Sequence, residues 1–337
     1  MIDTKFSKGF LWGTATSSYQ IEGAPNLDGK GPSVWDTFSH IEGNVKNGDN
    51  GDQACDHYNL WQRDIKLLKE LGVKAYRFSI SWPRIFPNGK EKLPNEAGLD
   101  FYDRLVDHLL ENTIQPFITL NHWDIPQGLE DIGGWPNRSM VDAFVKYSYY
   151  VSTRLGDRVK NWITHNEPWC ISYLGYIQGQ FPPGIKNNWP KSLATAHHLL
   201  LSHGMSINEI RNNSNDSNIG ITLNLSPSTP ASTSQYDKEA CKFYDGQFNR
   251  LYLDPLYKAQ YPKDLFDSLI KKKYIKKEDL NFIKTEDLKV ISKKTDFLGI
   301  NFYSRAIIRD NDIPKEKNLP IEVFLEEKTD FGWEIHP

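Results

Sequence analysis

The sequence predicts an α/β fold and, within that class, an incomplete (β/α)8 TIM barrel. Short β-prone runs alternate with segments of helical periodicity along most of the 337 residues, without long linkers. This alternation is typical of right-handed βα units around a parallel sheet. No glycine-rich dinucleotide fingerprint follows the first β-prone run, which disfavours a doubly wound nucleotide-binding fold. We therefore expect a single barrel domain over 1–337, with about six of the eight strands.

Each element is predicted from local periodicity and from the residues that interrupt it. The six predicted strands are 10–16, 74–79, 115–120, 161–164, 219–223 and 296–300. Helices are predicted at 59–71, 97–110, 139–155, 193–210 and 241–253, and within 263–284. The second of these helices has an apolar stripe of Phe101, Leu105 and Leu109, which predicts the face that packs on the sheet.

Composition and charge exclude several classes of function. Apolar residues make up 39% and charged residues 25% of the chain, which is typical of a soluble globular protein. A net charge of −3 provides no electrostatic basis for binding nucleic acid or a membrane surface. Residues 1–8 lack a secretory apolar core and no run approaches transmembrane length, so we expect a cytoplasmic protein.

The most informative segment is Trp162-Ile163-Thr164-His165-Asn166-Glu167-Pro168-Trp169. A β-prone run ends there in an amide and a carboxyl, and Pro168 interrupts regular structure. In a barrel, the carboxyl ends of the strands form the active-site face, so Asn166 and Glu167 would lie at its rim. A carboxyl walled by indole rings suits a general acid, and the neighbouring amide could hold a sugar hydroxyl.

Further polar residues lie at or near the ends of other predicted strands, and we expect them on the same face. They are Gln20, Arg77, His122, Trp123, Asn224, Asn301 and Tyr303. Arg77 could form a buried structural ion pair or could hold a nucleophile ionised. His122 could be a satisfied buried histidine or a ligand contact. Aromatic residues make up 13% of the chain, and some could stack on sugar rings.

No metal site is predicted. The cysteines Cys55, Cys170 and Cys241 include no closely spaced pair, which indicates neither a disulfide framework nor a zinc ribbon. Asp52, Asp56 and His57 form a loose cluster before a helix, and we expect helix capping there rather than metal ligation. The pair His197 and His198 lies on a predicted helix and is interpreted as structural.

Long ordered motifs resemble family 1 glycoside hydrolases, the β-glucosidase group. The resemblance rests on Phe10-Leu11-Trp12-Gly13-Thr14-Ala15-Thr16-Ser17-Ser18-Tyr19-Gln20-Ile21-Glu22-Gly23, on Tyr76-Arg77-Phe78-Ser79-Ile80-Ser81-Trp82-Pro83-Arg84, on Asn121-His122-Trp123-Asp124-Ile125-Pro126-Gln127, on Thr164-His165-Asn166-Glu167-Pro168, on Asp296-Phe297-Leu298-Gly299-Ile300-Asn301-Phe302-Tyr303 and on Gly332-Trp333-Glu334-Ile335. These motifs span essentially the whole chain.

The resemblance implies a role for each site residue. Glu167 would be the general acid/base, and Asn166 would hold the sugar 2-hydroxyl. The glucose-type ring would be contacted by Gln20, His122 and Trp123. The nucleophile would be surrounded by Arg77, Asn301 and Tyr303. Tyr303 would also contact the substrate. The substrate would be a β-glucoside or a 6-phospho-β-glucoside, hydrolysed without a cofactor and with retention by two carboxylates about 5 Å apart.

The sequence departs from the family pattern at the nucleophile. Family members carry this glutamate in a Thr-Glu-Asn-Gly motif, which occurs nowhere in the 337 residues, and Glu334 belongs to a different family segment. We therefore expect an N-terminal portion without the seventh and eighth βα units, inactive alone and with exposed sheet edges. The alternatives are a catalytically inactive sugar- or partner-binding homologue, or one half of a two-chain enzyme. A homo-oligomer or a complementing C-terminal segment would then cover the edges.

Overall fold

The computed structural model describes residues 6–310 and 327–335. Residues 1–5 of the predicted polar N-terminus lie outside this range. The strands are β1 Gly13–Ala15, β2 Ala75–Ser79, β3 Gln115–Asn121, β4 Asn161–Asn166, β5 Asn218–Asn224, β6 Ser228–Pro230, β7 Phe297–Asn301 and β8 Ala306–Ile308. All six predicted strands are present, although β1 is shorter than predicted. The small parallel pair of β6 and β8 was not predicted.

The α-helices alternate with the strands, as predicted. They are α1 Ser18–Ile21, α2 Val34–Ser39, α3 His57–Glu70, α4 Trp82–Ile85, α5 Glu96–Glu111, α6 Gln127–Glu130, α7 Ser139–Leu155, α8 Trp189–Asn213, α9 Gln235–Asp245, α10 Leu251–Lys258, α11 Lys263–Lys271 and α12 Asp287–Ile291. Short 3-10 turns occur at Lys46–Gly48 and Lys277–Leu280, and π-helical turns at Cys170–Leu174 and Gly246–Arg250.

Two helix predictions differ from the structure in extent. Helix α8 begins before the predicted residue 193, because the Asn188 side chain accepts a hydrogen bond from the Lys191 amide at 3.1 Å and Pro190 favours the first turn. The predicted helix at 241–253 is instead three segments, because a π-helical turn separates α9 from α10. Helical periodicity in the sequence did not reveal this interruption.

The larger of the two sheets has six parallel strands, in the spatial order β1-β2-β3-β4-β5-β7. Chain order and spatial order therefore agree throughout the sheet. A doubly wound sheet would reverse its strand order at a switch point, so the topology is that of a barrel, as predicted. Among the described residues, β1 and β7 each pair with a strand on one side only. Because all six strands run the same way, their carboxyl ends lie at the same edge.

Buried apolar side chains cover the helix-facing side of the sheet. One cluster joins β2, β3 and β4 to α3, α5 and α7, and a second joins β5 to α8, α10 and α11. The predicted stripe of Phe101, Leu105 and Leu109 is buried in the first cluster, which confirms the packing face of α5. The chain is close-packed between β5 and β7, since a Cβ atom at Gly299 would lie 2.2 Å from the Thr222 hydroxyl oxygen.

A β-bulge near the end of β4 sets the direction of its last side chains. Two successive residues both bond to α8: the Thr164 hydroxyl lies 2.7 Å from His203 Nδ1, and His165 Nε2 lies 2.9 Å from the Ser202 hydroxyl. A regular strand would alternate these directions. The irregular register instead leaves the next side chain, Asn166, among polar groups from the neighbouring strand ends.

Candidate active site

An open cavity of about 190 Å³ lies at the carboxyl ends of the strands. It is lined by Ala15, Thr16, Gln20, Arg77, His122, Trp123, Asn166, Glu167, Asn301 and Tyr303. Of the nine residues that the sequence analysis expected on this face, eight line the cavity, whereas Asn224, at the end of β5, is not in the lining. Within the described part of the chain, Glu167 is the one carboxylate in this lining.

Glu167 is 5% exposed, and both of its carboxylate oxygens have partners. Oε1 accepts a hydrogen bond from Asn301 Nδ2 at 2.6 Å, and Oε2 accepts one from the Cys170 thiol at 3.2 Å. The backbone of Glu167 is left-handed, with φ of 48°, and its amide donates to the Thr222 carbonyl at 2.8 Å. A non-glycine residue in this conformation is strained, and such strain is concentrated at functional sites.

Asn166 is almost fully buried and its amide orientation is determined by its neighbours. Oδ1 accepts hydrogen bonds from Arg77 Nη2 at 2.6 Å and from Asn301 Nδ2 at 3.0 Å. Because two donors face Oδ1, Nδ2 is the atom that faces His122 Nε2, at 3.1 Å. The backbone carbonyl of Asn166 accepts a further bond from Trp123 Nε1 at 2.8 Å. Residues from β2, β4 and β7, and from the segment directly after β3, therefore meet at this amide.

The same contacts assign the tautomer of His122. Since Nε2 accepts from Asn166, the ring proton resides on Nδ1. Burial, together with the charge of Arg77, lowers the pKa of His122 to about 3, so the ring is neutral at physiological pH. Nδ1 is buried and has no hydrogen-bond partner among the described residues. Buried donors are normally satisfied, so this unpaired N–H is an exception in the site.

Arg77 supplies the positive charge of the cavity. Its Nε donates to the Thr119 hydroxyl at 2.9 Å, and burial lowers its pKa to about 10 while the Glu167 carboxylate opposes that shift. The guanidinium therefore remains charged at neutral pH. Among the described residues, its side chain donates to the Thr119 hydroxyl and the Asn166 amide oxygen, which are neutral acceptors rather than a structural carboxylate.

The open side of the cavity is formed by Gln20, Trp123 and Tyr303. Gln20 is exposed, and its carbonyl oxygen accepts from the Ser17 hydroxyl at 2.8 Å. Trp123 has a positive φ of 81° and packs against Phe181 with ring centroids 5.2 Å apart. Tyr303 is 61% exposed, and burial of its hydroxyl end, with the Glu167 charge, raises the pKa of the phenol. Exposed rings and amides at this rim leave room for a polar ligand.

Two contacts of the site were missed by sequence reasoning. Thr119 holds Arg77, and Cys170 donates its thiol hydrogen to Glu167. Cys170 follows Glu167 by three residues across Pro168, so the turn at this proline was a signal that could have placed the thiol beside the carboxyl. The partner of Arg77 lies on another strand, and its identity depended on the register of β2 against β3.

One prediction outside the cavity was wrong. Asp56 occupies the N-cap position of α3, but its backbone is left-handed and its carboxylate accepts from the Asn59 side chain, at 2.6 Å, rather than capping an amide. His57 instead bonds to Asp64 at 2.7 Å.

Across the described ranges, no group of three or more potential metal ligands occurs. No helix there has the length and apolar character needed to cross a bilayer.

The histidines of α8 have structural partners. His197 Nε2 lies 2.9 Å from Asp287 Oδ2 and Nδ1 lies 2.8 Å from the Tyr261 hydroxyl, and His198 Nδ1 lies 2.9 Å from the Trp135 carbonyl. Glu334 lies elsewhere, with its two carboxylate oxygens each 2.7 Å from the Arg305 guanidinium. Glu334 is not in the cavity lining.

Comparisons with known proteins agree with this architecture. A family model described as Glycosyl hydrolase family 1 matches residues 2–337. Beta-glucosidase A of Acetivibrio thermocellus is 50% identical over 334 residues, which are 98% of this chain and 73% of that protein. The 1,4-beta-D-glucan glucohydrolase of Thermotoga neapolitana is 46% identical over 341 residues, 99% of this chain and 76% of that protein.

Solved structures show the same likeness. A beta-glucosidase from Exiguobacterium marinum superposes with a TM-score of 0.91 at 44% identity, covering 99% of this chain and 74% of that one. The family 1 beta-glucosidase from Thermotoga maritima superposes with a TM-score of 0.87 at 45% identity, covering 98% and 72%.

Proposed function

The chain belongs to glycosyl hydrolase family 1, and from this membership we propose that its strand-end cavity is the glucose-binding part of a retaining β-glucosidase site. The observation that carries the proposal is the environment of Glu167. It is a buried carboxyl whose two oxygens are held by Asn301 and Cys170. It directly follows Asn166, an amide that the side chains of Arg77, Asn301 and His122 hold in place. The β-glucosidase names of the relatives support a β-glucoside substrate rather than a 6-phospho-β-glucoside.

In this proposal Glu167 protonates the glycosidic oxygen and then activates water as a base. Asn166 holds the sugar 2-hydroxyl, and its orientation is maintained by Arg77 and Asn301. The neutral His122 ring, which lines the cavity, contacts the glucose-type ring. Gln20, Trp123 and Tyr303 form the polar and aromatic rim around the ring. No cofactor is required for this chemistry.

We further propose that these 337 residues do not by themselves supply the nucleophile. No Thr-Glu-Asn-Gly motif occurs in the sequence, and no second carboxylate lines the cavity within the described ranges. A retaining enzyme needs that second carboxylate about 5 Å from the first to form the glycosyl intermediate. A complementing polypeptide segment would have to provide it. Without one, the chain binds sugar but turns over glucosides only when an external nucleophile is added.

Azide tests this proposal, because a small anion can attack the anomeric carbon where a protein carboxylate is missing. The 337-residue chain is incubated with dinitrophenyl and nitrophenyl β-glucosides, with and without sodium azide. We expect no hydrolysis without azide and formation of α-glucosyl azide with it, identified by proton NMR. Glu167→Gln should slow the nitrophenyl substrate by about 10²–10⁴-fold, because this poorer leaving group needs the acid. The exposed Glu286→Gln is the matched control.

The other outcomes separate the alternatives. Hydrolysis without azide that is lost in Glu167→Gln would support β-glucosidase activity and would show that the chain does contain a nucleophile. Absence of both hydrolysis and azide product, together with glucose-competitive binding measured by calorimetry, would favour a catalytically inactive sugar-binding protein. Absence of sugar binding as well would reject the proposed site.

A further inference from the structure

The contact between Cys170 and Glu167 is not used by the proposed mechanism. Cys170 is 6% exposed and begins the π-helical turn that follows Trp169. Its backbone amide donates to the Glu167 carbonyl at 2.9 Å, and its thiol donates to Glu167 Oε2 at 3.2 Å. The same residue therefore holds both the main chain and the carboxyl of Glu167. The thiol also lies 3.9 Å from Asn224 Nδ2, a contact from the end of β5.

The protonation state of the thiol suits a donor. Burial raises the pKa of Cys170, and the neighbouring Glu167 raises it further, so the sulfur keeps its hydrogen at neutral pH. The other carboxylate oxygen is held by Asn301 at 2.6 Å. A thiol is a weak donor compared with a hydroxyl. It can thus orient a carboxyl that must gain and lose a proton without strongly favouring one of the two forms.

The geometry points to Cys170 as a positioning residue for Glu167: its thiol limits rotation of the carboxyl, so that the same edge faces the cavity in both protonation states. This inference rests on the proposed acid/base role of Glu167. The titratable and charged groups that face Glu167 from other elements are Arg77, Tyr303 and His122. None of these three bonds directly to its oxygens within the described ranges, so the thiol and the Asn301 amide hold the carboxyl.

Infrared spectroscopy of the full chain tests the contact without requiring turnover. The S–H stretch falls in a region free of other protein bands, and the chain has three thiols, Cys55, Cys170 and Cys241. The band lost in Cys170→Ala identifies the relevant thiol, and Cys241→Ala is the matched buried control. We expect the Cys170 band at lower frequency than the other two, with a shift to higher frequency in Glu167→Gln, where a neutral oxygen replaces the charged acceptor. A band at the same frequency in wild type and Glu167→Gln would overturn the inference.

A leaving-group series separates positioning from general structural damage. With azide present as external nucleophile, Cys170→Ala should slow substrates that have poor leaving groups by on the order of 10-fold. Reaction of dinitrophenyl β-glucoside should be nearly unaffected, because its dinitrophenolate leaving group departs without needing a proton. Cys170→Ser retains a donor and should recover most of the loss. An equal loss across the series in Cys170→Ala would contradict positioning. The two tests can fail separately. Failure of the wild type to react with azide would count against the proposed function only, because the infrared measurement reports the Cys170–Glu167 contact without turnover.

Discussion

Burial determines the protonation of single residues around the strand ends. It keeps His122 neutral, and it leaves Arg77 charged although the pKa of that group is lowered to about 10. Asp124, beside the same strand end as His122, is 2% exposed. Its Oδ2 accepts from the Ser18 hydroxyl at 2.6 Å, whereas Oδ1 has no partner among the described residues. Burial raises the pKa of Asp124 to about 8.

Asp124→Asn should therefore change the pH dependence of folding. The folded protein keeps a proton on Asp124 that the unfolded chain loses above about pH 4, so this residue stabilises the fold at low pH and less as pH rises towards 8. The asparagine variant lacks this dependence. Wild type should therefore lose about 3 kcal/mol of its free energy of unfolding between pH 5 and pH 7.5 through this group, and the variant should not. The difference between the two proteins is measured by urea denaturation at both pH values.

A matched substitution provides the control for this comparison. Asp49 is exposed at the surface, and Asp49→Asn should differ from wild type by less than about 0.5 kcal/mol across that pH range. A constant difference for Asp124→Asn as well would contradict the raised pKa of this group.

At the scale of single elements, the bulged end of β4 links the core to the cavity. Thr164 and His165 attach this strand end to α8, and Asn166 is thereby directed towards Arg77 and Asn301. Histidine protonation is disfavoured in this layer because burial lowers the pKa of His203 to about 3 and that of His165 well below its usual value. The layer between β4 and α8 is therefore a neutral hydrogen-bonded network.

Thr164→Val tests how much this network contributes to stability. Valine has a similar shape but leaves His203 Nδ1 without its hydroxyl partner inside the core. We expect a loss of about 1–3 kcal/mol in the free energy of unfolding, measured by urea denaturation at pH 7. Thr153→Val on the exposed face of α7 is the control and should change stability by less than about 0.5 kcal/mol. Equal effects of the two substitutions would rule out an energetic role for the network.

At the scale of the whole molecule, a polar network ties the later helices to the earlier ones. Asp287 of α12 accepts from Arg138, at 2.8 and 2.5 Å, from His197 at 2.9 Å and from the Lys284 amide at 2.8 Å. Burial by itself would raise the pKa of Asp287. The hydrogen bonds outweigh burial and hold the pKa far below its usual value. Burial lowers the pKa of His197 to about 4. The network therefore combines a carboxylate and a guanidinium with a neutral imidazole.

Asp287→Asn should weaken this connection in a pH-dependent way. A carboxyl with a lowered folded pKa stabilises the protein fully above its unfolded value near 3.9 and loses that contribution as pH falls through the folded value. We expect a cost of about 2 kcal/mol at pH 7, kept modest because Arg138 is partly exposed, and a smaller cost below about pH 4. Asp142→Asn, exposed near Arg138 on α7, should cost less than about 0.5 kcal/mol. A penalty for Asp287→Asn that does not depend on pH would contradict the lowered pKa.

Periodicity along the chain was sufficient to predict the six parallel strands and the buried face of α5. It also predicted the edge of the sheet at which the polar residues come together. These features depend on neighbours in sequence and on the common direction of parallel strands. The contacts of each group at that edge depended on folding. Register and the β4 bulge bring Thr119 to Arg77 and direct Asn166 inwards, and burial sets the neutral state of His122. Such contacts join residues far apart in the chain, and desolvation depends on everything packed around a group, so no local pattern encodes them.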